Sequence, residues 1–327
     1  MIRAEWKKLL RQRWLIGIAI LLIFVDVGLF LNTQYTEKKD CVAAVPLFAK
    51  YQKETANMTN EQAQECLTDQ LNMLSNFQFV QIALNGEVDE GLLQGLVEEN
   101  PNILDEYRQA GYEENPLALT TKIQVISELL EQYQNVSGYQ AYLESIQAQY
   151  KQMKDSSFYE GRPYAEAQGK KTVEDFAKLQ GTKLEIGMNW GVEALMEEQI
   201  SSVILILLAL GICIVLVSQD RTYDMFGLLR SCRRGHGYLI VAKFATALTA
   251  VLLFGIVMYG SQVAIAWKLY GMGNLNRPMQ SVNLLNESAR QLTVGGYLLD
   301  YYLRHLIAVL VLTAFMLCLF LSVYSTM

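Results

Sequence analysis

Four long apolar stretches dominate the chain, and polar segments of very different length separate them. The apolar stretches run over 14–31, 200–217, 238–267 and 304–324. The hydrocarbon core of a bilayer is about 30 Å thick, and a helix needs roughly 20 mostly apolar residues to cross it. The pattern therefore predicts four transmembrane helices. The first stretch is followed by NTQYTEKKD and by no small-residue cleavage site, which predicts an uncleaved signal anchor.

The long polar segment 32–199 has the composition of a helical domain. Glu, Gln, Leu, Lys and Ala dominate it, and β-branched runs are absent. Thr59 and Gln62 have the spacing of a capping box, and Pro116 suits the first turn of a new helix. We expect helix throughout this segment, interrupted by a loop over 156–169. The predicted fold class is an all-α integral membrane protein with a helical bundle or stalk between transmembrane helices 1 and 2.

Basic residues are unevenly distributed among the polar segments and set the orientation. Residues 1–13 hold five Lys and Arg, and residues 218–237 hold four. Lys- and Arg-rich flanks stay in the cytoplasm, so the N-terminus is predicted to be cytoplasmic and residues 32–199 extracellular, in a multi-pass protein of the cell membrane. Residues 32–199 carry 13 Lys and Arg against 27 Asp and Glu, a net charge of −14, and the rest of the chain carries +8. The basic inner segments suit membrane lipid head groups, and the acidic exterior argues against nucleic acid as a partner.

These observations divide the chain into eight segments. They are a cytoplasmic amphipathic elbow (1–13), transmembrane helix 1 (14–31), the extracytoplasmic helical domain (32–199), transmembrane helix 2 (200–217), a cytoplasmic coupling segment (218–237), transmembrane helix 3 (238–267), an extracytoplasmic loop (268–303) and transmembrane helix 4 (304–324).

A few side chains are candidates for chemistry. Asp26 lies 12 residues after Trp14, about 18 Å along the first transmembrane helix, and an acid at that depth is a candidate functional group. The alternative is that Asp26 reaches water at the outer interface. Cys41 and Cys66 both lie outside, where they either form a disulfide or remain packed thiols. Neither a catalytic constellation nor a metal-ligand pattern is visible, so we do not expect an enzyme.

The segment between transmembrane helices 2 and 3 is the most informative part of the chain. It is a short basic elbow with apolar side chains available to a partner, although an ordinary charged turn that only fixes topology would have the same composition. Its pattern resembles the cytoplasmic coupling helix of ABC-2 type exporter permeases, which carry an acidic residue, a Gly, a Leu-rich pair, a small residue, basic residues and a Lys opening the next helix. The residues that fit this ATPase-coupling pattern are Asp220, Phe226, Gly227, Leu228, Leu229, Arg230, Ser231, Arg233, Arg234, Gly235 and Lys243.

Other parts of the chain extend this resemblance. The start, IRAEWKKLLRQRW, is similar to the family's N-terminal elbow helix, and segments 277–282 and 294–299 resemble the outer loop of permeases common in low-GC Gram-positive bacteria. The family usually has Glu where this chain has Asp220. The family also has six membrane helices, whereas this chain ends just after its fourth apolar stretch, so we expect a C-terminal truncation after Met327.

The resemblance implies a division of labour between subunits. A separate ABC ATPase subunit would bind ATP and Mg²⁺ and push on the coupling segment, so this chain would bind no cofactor itself. Gly169-Lys170-Lys171-Thr172 lacks the earlier glycine of a phosphate-binding loop. A second permease half, identical or different, would complete the transporter. The alternative is a non-transporting membrane anchor whose helical ectodomain binds or senses an extracellular partner.

Overall fold

The computed structural model describes residues 2–85, 90–198, 200–222 and 235–326, and the regular structure in those ranges is helical apart from one isolated β-bridge. The helices are α1 (Ile2–Arg11), α2 (Arg13–Thr36), α3 (Lys39–Thr55), α4 (Asn60–Leu84), α5 (Glu90–Glu99), α6 (Ile103–Gln109), α7 (Pro116–Asp155), α8 (Pro163–Ala177), α9 (Trp190–Glu197), α10 (Ile200–Thr222), α11 (Gly235–Tyr270) and α12 (Val294–Thr326), with 3₁₀ turns at Met279–Ser281 and Asn283–Leu285.

Within the described residues, four helices are long and apolar enough to cross a membrane, which confirms the number that the hydrophobic pattern predicts. The qualifying segments are Arg13–Thr36, Ile200–Ser218, Gly237–Tyr270 and Val294–Ser322. Each is longer than its apolar stretch, because helical structure continues into flanking polar residues. The largest extension is in α12, which begins at residue 294, whereas the apolar stretch begins at 304.

The chain forms two compact units, which are described separately below. The four-span unit consists of residues 1–37, 191–271 and 298–327, and the polar unit consists of residues 38–190 and 272–297. The segment between α11 and α12 therefore belongs to the polar unit, although the sequence places it between two membrane helices.

Helix α10 is the most buried of the four span helices. In its most apolar window 56% of the residues are buried, compared with 22% in α2 and in α12. The outer faces of α2 and α12 carry large exposed side chains such as Phe24 (71% exposed) and Val311 (65% exposed). Apolar surface of this kind would be unfavourable in water and suits a hydrocarbon environment.

The polar unit is organised around α7, which packs against α3 and α4. Pro116 occupies the first position of α7, and the side chain of Asn115 accepts a hydrogen bond from the amide of Ala118 at 3.3 Å. The capping box predicted for α4 is confirmed, since Thr59 and Gln62 exchange side-chain-to-backbone hydrogen bonds of 3.1 and 3.3 Å. These contacts satisfy amide groups that the first turn of a helix leaves unpaired.

Two local predictions for this unit are wrong. The expected loop over 156–169 ends early, because α8 begins at Pro163, and proline is well suited to the first helical position. Residues 182–189 are not helical. Side chains distant in sequence satisfy part of their backbone instead: Glu185 donates its amide to the Ser281 hydroxyl at 3.0 Å, and Gly187 donates its amide to Gln132 at 3.0 Å.

Candidate functional site

Most of the predicted coupling segment lies outside the described residues. The range 223–234 is outside the described residues, and it contains Phe226, Gly227, Leu228, Leu229, Arg230, Ser231, Arg233 and Arg234. Asp220 lies in the last turn of α10, and Gly235 is the first residue of α11. The structure therefore places the two ends of the segment at two neighbouring helices of the four-span unit.

Lys243, the last residue of the predicted coupling pattern, is buried and takes part in an ion pair. Its ammonium lies 3.8 Å from the carboxylate of Glu5 in α1, and the two side chains are 1% and 2% exposed. The same ammonium donates a hydrogen bond to the carbonyl of Leu216 in α10. Glu5 also pairs with Lys8 at 2.6 Å. These contacts join the N-terminal elbow helix to α10 and α11, close to where both helices meet the coupling segment.

Asp26 is buried inside the four-span unit and does not reach open solvent in the structure. It is 2% exposed, and its Oδ1 accepts a hydrogen bond from the Ser201 hydroxyl of α10 at 2.6 Å. Gln262 of α11 directs its Nε2 at the other carboxylate oxygen at 3.5 Å and donates to the Ser201 hydroxyl as well. Three helices thus supply one hydrogen-bonded group inside the four-span unit.

A second set of polar side chains continues from this group. The hydroxyl of Ser202 lies 3.1 Å from the hydroxyl of Tyr259 and 3.1 Å from Nδ1 of His305 in α12. The His305 ring packs on Tyr301, with ring centroids 4.5 Å apart. We call the combined set the polar layer; its members, contributed by all four span helices, are Asp26, Ser201, Ser202, Tyr259, Gln262 and His305.

The polar unit contains its own partly buried hydrogen-bond network around Glu128 of α7. One carboxylate oxygen of Glu128 accepts hydrogen bonds from Gln132 at 2.8 Å, Asn189 at 3.2 Å and Asn283 at 3.2 Å. Burial raises the pKa of Glu128, and the hydrogen bonds from Gln132 and Asn189 and the nearby charge of Arg277 oppose part of that shift. The network fixes the position of the 272–297 segment within the polar unit.

Arg277 holds the non-helical segment in place. Its guanidinium is 1% exposed and donates to the Met188 carbonyl at 2.8 Å and to the Asn189 side chain at 2.7 Å. A Cβ atom at Gly187 would collide with this guanidinium, so a larger residue there would force the buried Arg277 side chain to shift. These two hydrogen bonds tie the segment that follows α11 to residues 188 and 189.

The two predicted disulfide partners are not bonded to each other. Cys41 in α3 accepts a hydrogen bond from Gln124 at 3.2 Å, and Cys66 in α4 accepts one from Gln70 at 3.6 Å. Of the two alternatives for this pair, the structure has the packed thiols.

Sequence reasoning found Asp26 and Lys243 but missed the groups that hold them. Ser201, Gln262 and Glu5 all lie in or beside apolar helices. Gln262 had a usable signal, because an amide inside a long apolar stretch needs a partner. The pairings themselves have no local signal, since Asp26 and Gln262 are 236 residues apart.

Comparison with known proteins adds no relative. No protein-family model matches the chain, and no curated protein and no solved structure matches it.

Proposed function

We propose that the chain is the transmembrane permease subunit of an ATP-driven exporter of the ABC-2 type. The polar unit lies outside the cell membrane, and the coupling segment 218–237 lies in the cytoplasm. The concentration of basic residues in 1–13 and 218–237 and the net charge of −14 in 32–199 support this orientation. The resemblance of the coupling segment to that of exporter permeases supports the partner, an ABC ATPase subunit that holds ATP and Mg²⁺.

The buried ion pair of Glu5 and Lys243 is the observation that carries the proposal. A membrane anchor needs its inner loop only to connect two helices. In this chain Lys243, the ninth residue of α11, instead pairs with Glu5 of the elbow helix and donates a hydrogen bond to the carbonyl of Leu216 in α10. A force applied to the coupling segment would therefore reach α1, α10 and α11 together.

This link suggests how the work of the ATPase enters the membrane. Closure of the ATPase would move the coupling segment, and the three tied helices would follow as one body, in the manner of helix and domain shifts in other switching proteins. A second permease half would face the first across the cargo path. The exposed apolar faces of α2 and α12 are available to that half and to lipid.

The experiment is a copurification with matched variants. Gly227→Asp and Leu228→Asp each add a charge to the coupling segment, and Tyr164→Asp adds the same charge to a side chain of the polar unit that is 80% exposed. The intact chain and Tyr164→Asp are expected to copurify with an ATP-binding subunit and to stimulate its ATPase activity. The two coupling-segment variants are expected to lose both properties while remaining monodisperse in detergent.

Two results would count against the proposal. Equal copurification of all three variants would show that the coupling segment does not hold an ATPase. Absence of any ATP-binding protein from the intact complex would favour the membrane-anchor alternative. The orientation is tested separately: a membrane-impermeant maleimide should label Tyr164→Cys on intact cells, and labelling only after lysis would reverse the assignment.

A further inference from the structure

The polar layer places a carboxyl group where a negative charge is expensive. Asp26 is 2% exposed on a helix whose apolar window has a mean hydropathy of 2.6. A buried acid in such surroundings either gains a cationic partner or takes up a proton. Among the described residues, the groups that contact its carboxylate are neutral, namely the hydroxyl of Ser201 and the amide of Gln262.

The contacts around the carboxylate suit a proton. An alkali ion would require oxygen atoms to converge beside the carboxylate, but Gln262 presents its amide nitrogen to both Asp26 and Ser201. The distance of 2.6 Å between the Ser201 hydroxyl and Asp26 Oδ1 fits a short O–H···O hydrogen bond. In the structure Ser201 donates this hydrogen bond; once Asp26 is protonated, its O–H can instead donate a hydrogen bond to the Ser201 oxygen, and the proton stays on Asp26.

The rest of the layer offers titratable groups and a path for exchange. Near Asp26 are Glu198, which accepts a hydrogen bond from the Ile200 amide at 2.9 Å, Tyr259 of α11 and Tyr302 of α12. His305 of α12 joins the layer through Ser202. The charged groups of α1 and the inner part of α11, Glu5 and Lys243, are engaged with each other. A cleft of ≈ 380 Å³ is lined by Ser202 and His305 together with Arg304 and apolar side chains of α10 and α12, so this side of the layer is open at the surface of the four-span unit.

We propose that Asp26 is a proton-binding site of the four-span unit, held as the neutral acid at neutral pH and exchanging its proton with water when the helices move. Protonation forms an O–H bond on the carboxylate and breaks one in hydronium. Release returns the proton to water and leaves a carboxylate that accepts hydrogen bonds from Ser201 and Gln262. The site rests on contacts inside the four-span unit and is independent of the ATPase partner.

A hydrophobic carbodiimide tests the proposal on the full chain in lipid vesicles. Dicyclohexylcarbodiimide adds to protonated carboxyl groups in apolar surroundings, and the adduct is located by mass spectrometry of the digested protein. We expect an adduct at Asp26 at neutral pH that declines in alkaline buffer, and none at Asp300, an acid of α12 paired with Arg304. Asp26→Asn keeps the shape of the side chain and should give no adduct at position 26.

Two further measurements distinguish proton binding from binding of a metal cation. Gln262→Leu removes a donor that favours the carboxylate, so labelling of Asp26 should persist in more alkaline buffer than in the intact chain. Replacing choline with Na⁺ at constant pH should leave the labelling rate unchanged. Protection by Na⁺ would identify a metal-cation site and overturn the proposal. Lack of an adduct at Asp26 in neutral and acidic buffer, in protein that remains folded by gel filtration, would overturn it as well.

Discussion

Replacing Lys243 with methionine preserves most of the side chain's volume but removes the charge that faces Glu5. The carboxylate of Glu5 then remains buried, with only Lys8 as a cationic partner among the described residues. Because Glu5 belongs to α1 and Lys243 to α11, the substitution weakens the attachment of the elbow helix to the membrane helices.

The magnitude follows from the distance between the charges. At 3.8 Å and an effective dielectric constant of about 20, two unit charges attract by about 4 kcal/mol. Breaking one side of a buried ion pair typically costs about 3–5 kcal/mol, in agreement with that figure. Since about 1.4 kcal/mol corresponds to a factor of ten, detachment of α1 should become up to roughly a thousandfold more frequent. The remaining contact of Glu5 with Lys8 makes this an upper value.

A cysteine on the buried face of α1 measures that detachment. Leu9 is 5% exposed, so Leu9→Cys reacts with a maleimide only when α1 separates from the core. In a background with the native cysteines replaced by serine, Lys243→Met should accelerate this labelling at least tenfold. Ile2→Cys, at a position that is 48% exposed, should react at the same rate with and without Lys243→Met.

The double variant shows whether charge is the cause. Replacing both Glu5 and Lys243 with methionine removes the uncompensated charge, and such apolar pairs are often as stable as the ion pair they replace. The labelling rate of Leu9→Cys should therefore return to within a few fold of that in the intact pair. An unchanged rate in the single variant, or a double variant as fast as the single, would refute the electrostatic reasoning.

Three further predictions concern the polar unit. Gly187→Ala should lower the stability of this unit by about 1–3 kcal/mol, because the new methyl group crowds the buried guanidinium of Arg277. Gly138→Ala, whose methyl group meets nothing within 4 Å, should be neutral or stabilising, and thermal melts of the two variants test the difference. Burial raises the pKa of Glu128 above its usual 4.5, so the stability that comes from its protonated form is lost as pH rises from 4.5 through the raised pKa. The melting temperature of Glu128→Gln should thus equal that of the intact protein at about pH 4. At about pH 8 it should be a few degrees higher than that of the intact protein. Both Cys41 and Cys66 should be alkylated in denaturant without reductant. If the mass of the unreduced protein were lower by two hydrogens than that of the reduced protein, a disulfide would be present and the packed thiols would be contradicted.

The fold follows from the sequence wherever a signal is local. Apolar stretches of membrane-spanning length predicted all four span helices, and the cap at Thr59 and the proline at 116 marked true helix starts. The start of α8 at Pro163 carries the same proline signal, although the prediction for 156–169 was a loop. Local signals of this kind depend on a few neighbouring residues, so they can be evaluated without the tertiary structure.

Contacts between distant residues could not be predicted in this way. The irregular backbone of 182–189 is explained by partners such as Gln132 and Ser281, which lie 55 and 96 residues away from the amides they bind. Asp26 was identified as a candidate because an acid within an apolar helix is unusual, but its contact with Ser201 spans 175 residues. Hydrophobic periodicity specifies which face of a helix is buried and leaves the neighbouring helix undetermined.

A photo-reactive amino acid at Leu228 tests the central claim most directly. Irradiation of membranes from the native host links this position to whatever protein contacts the coupling segment, and mass spectrometry identifies the adduct. The proposed function predicts a covalent adduct with a nucleotide-binding ATPase subunit, formed at Leu228 and absent when the same amino acid stands at Tyr164. Efficient crosslinking at Leu228 to proteins without a nucleotide-binding domain, or to none, would contradict the assignment of this chain as an exporter permease.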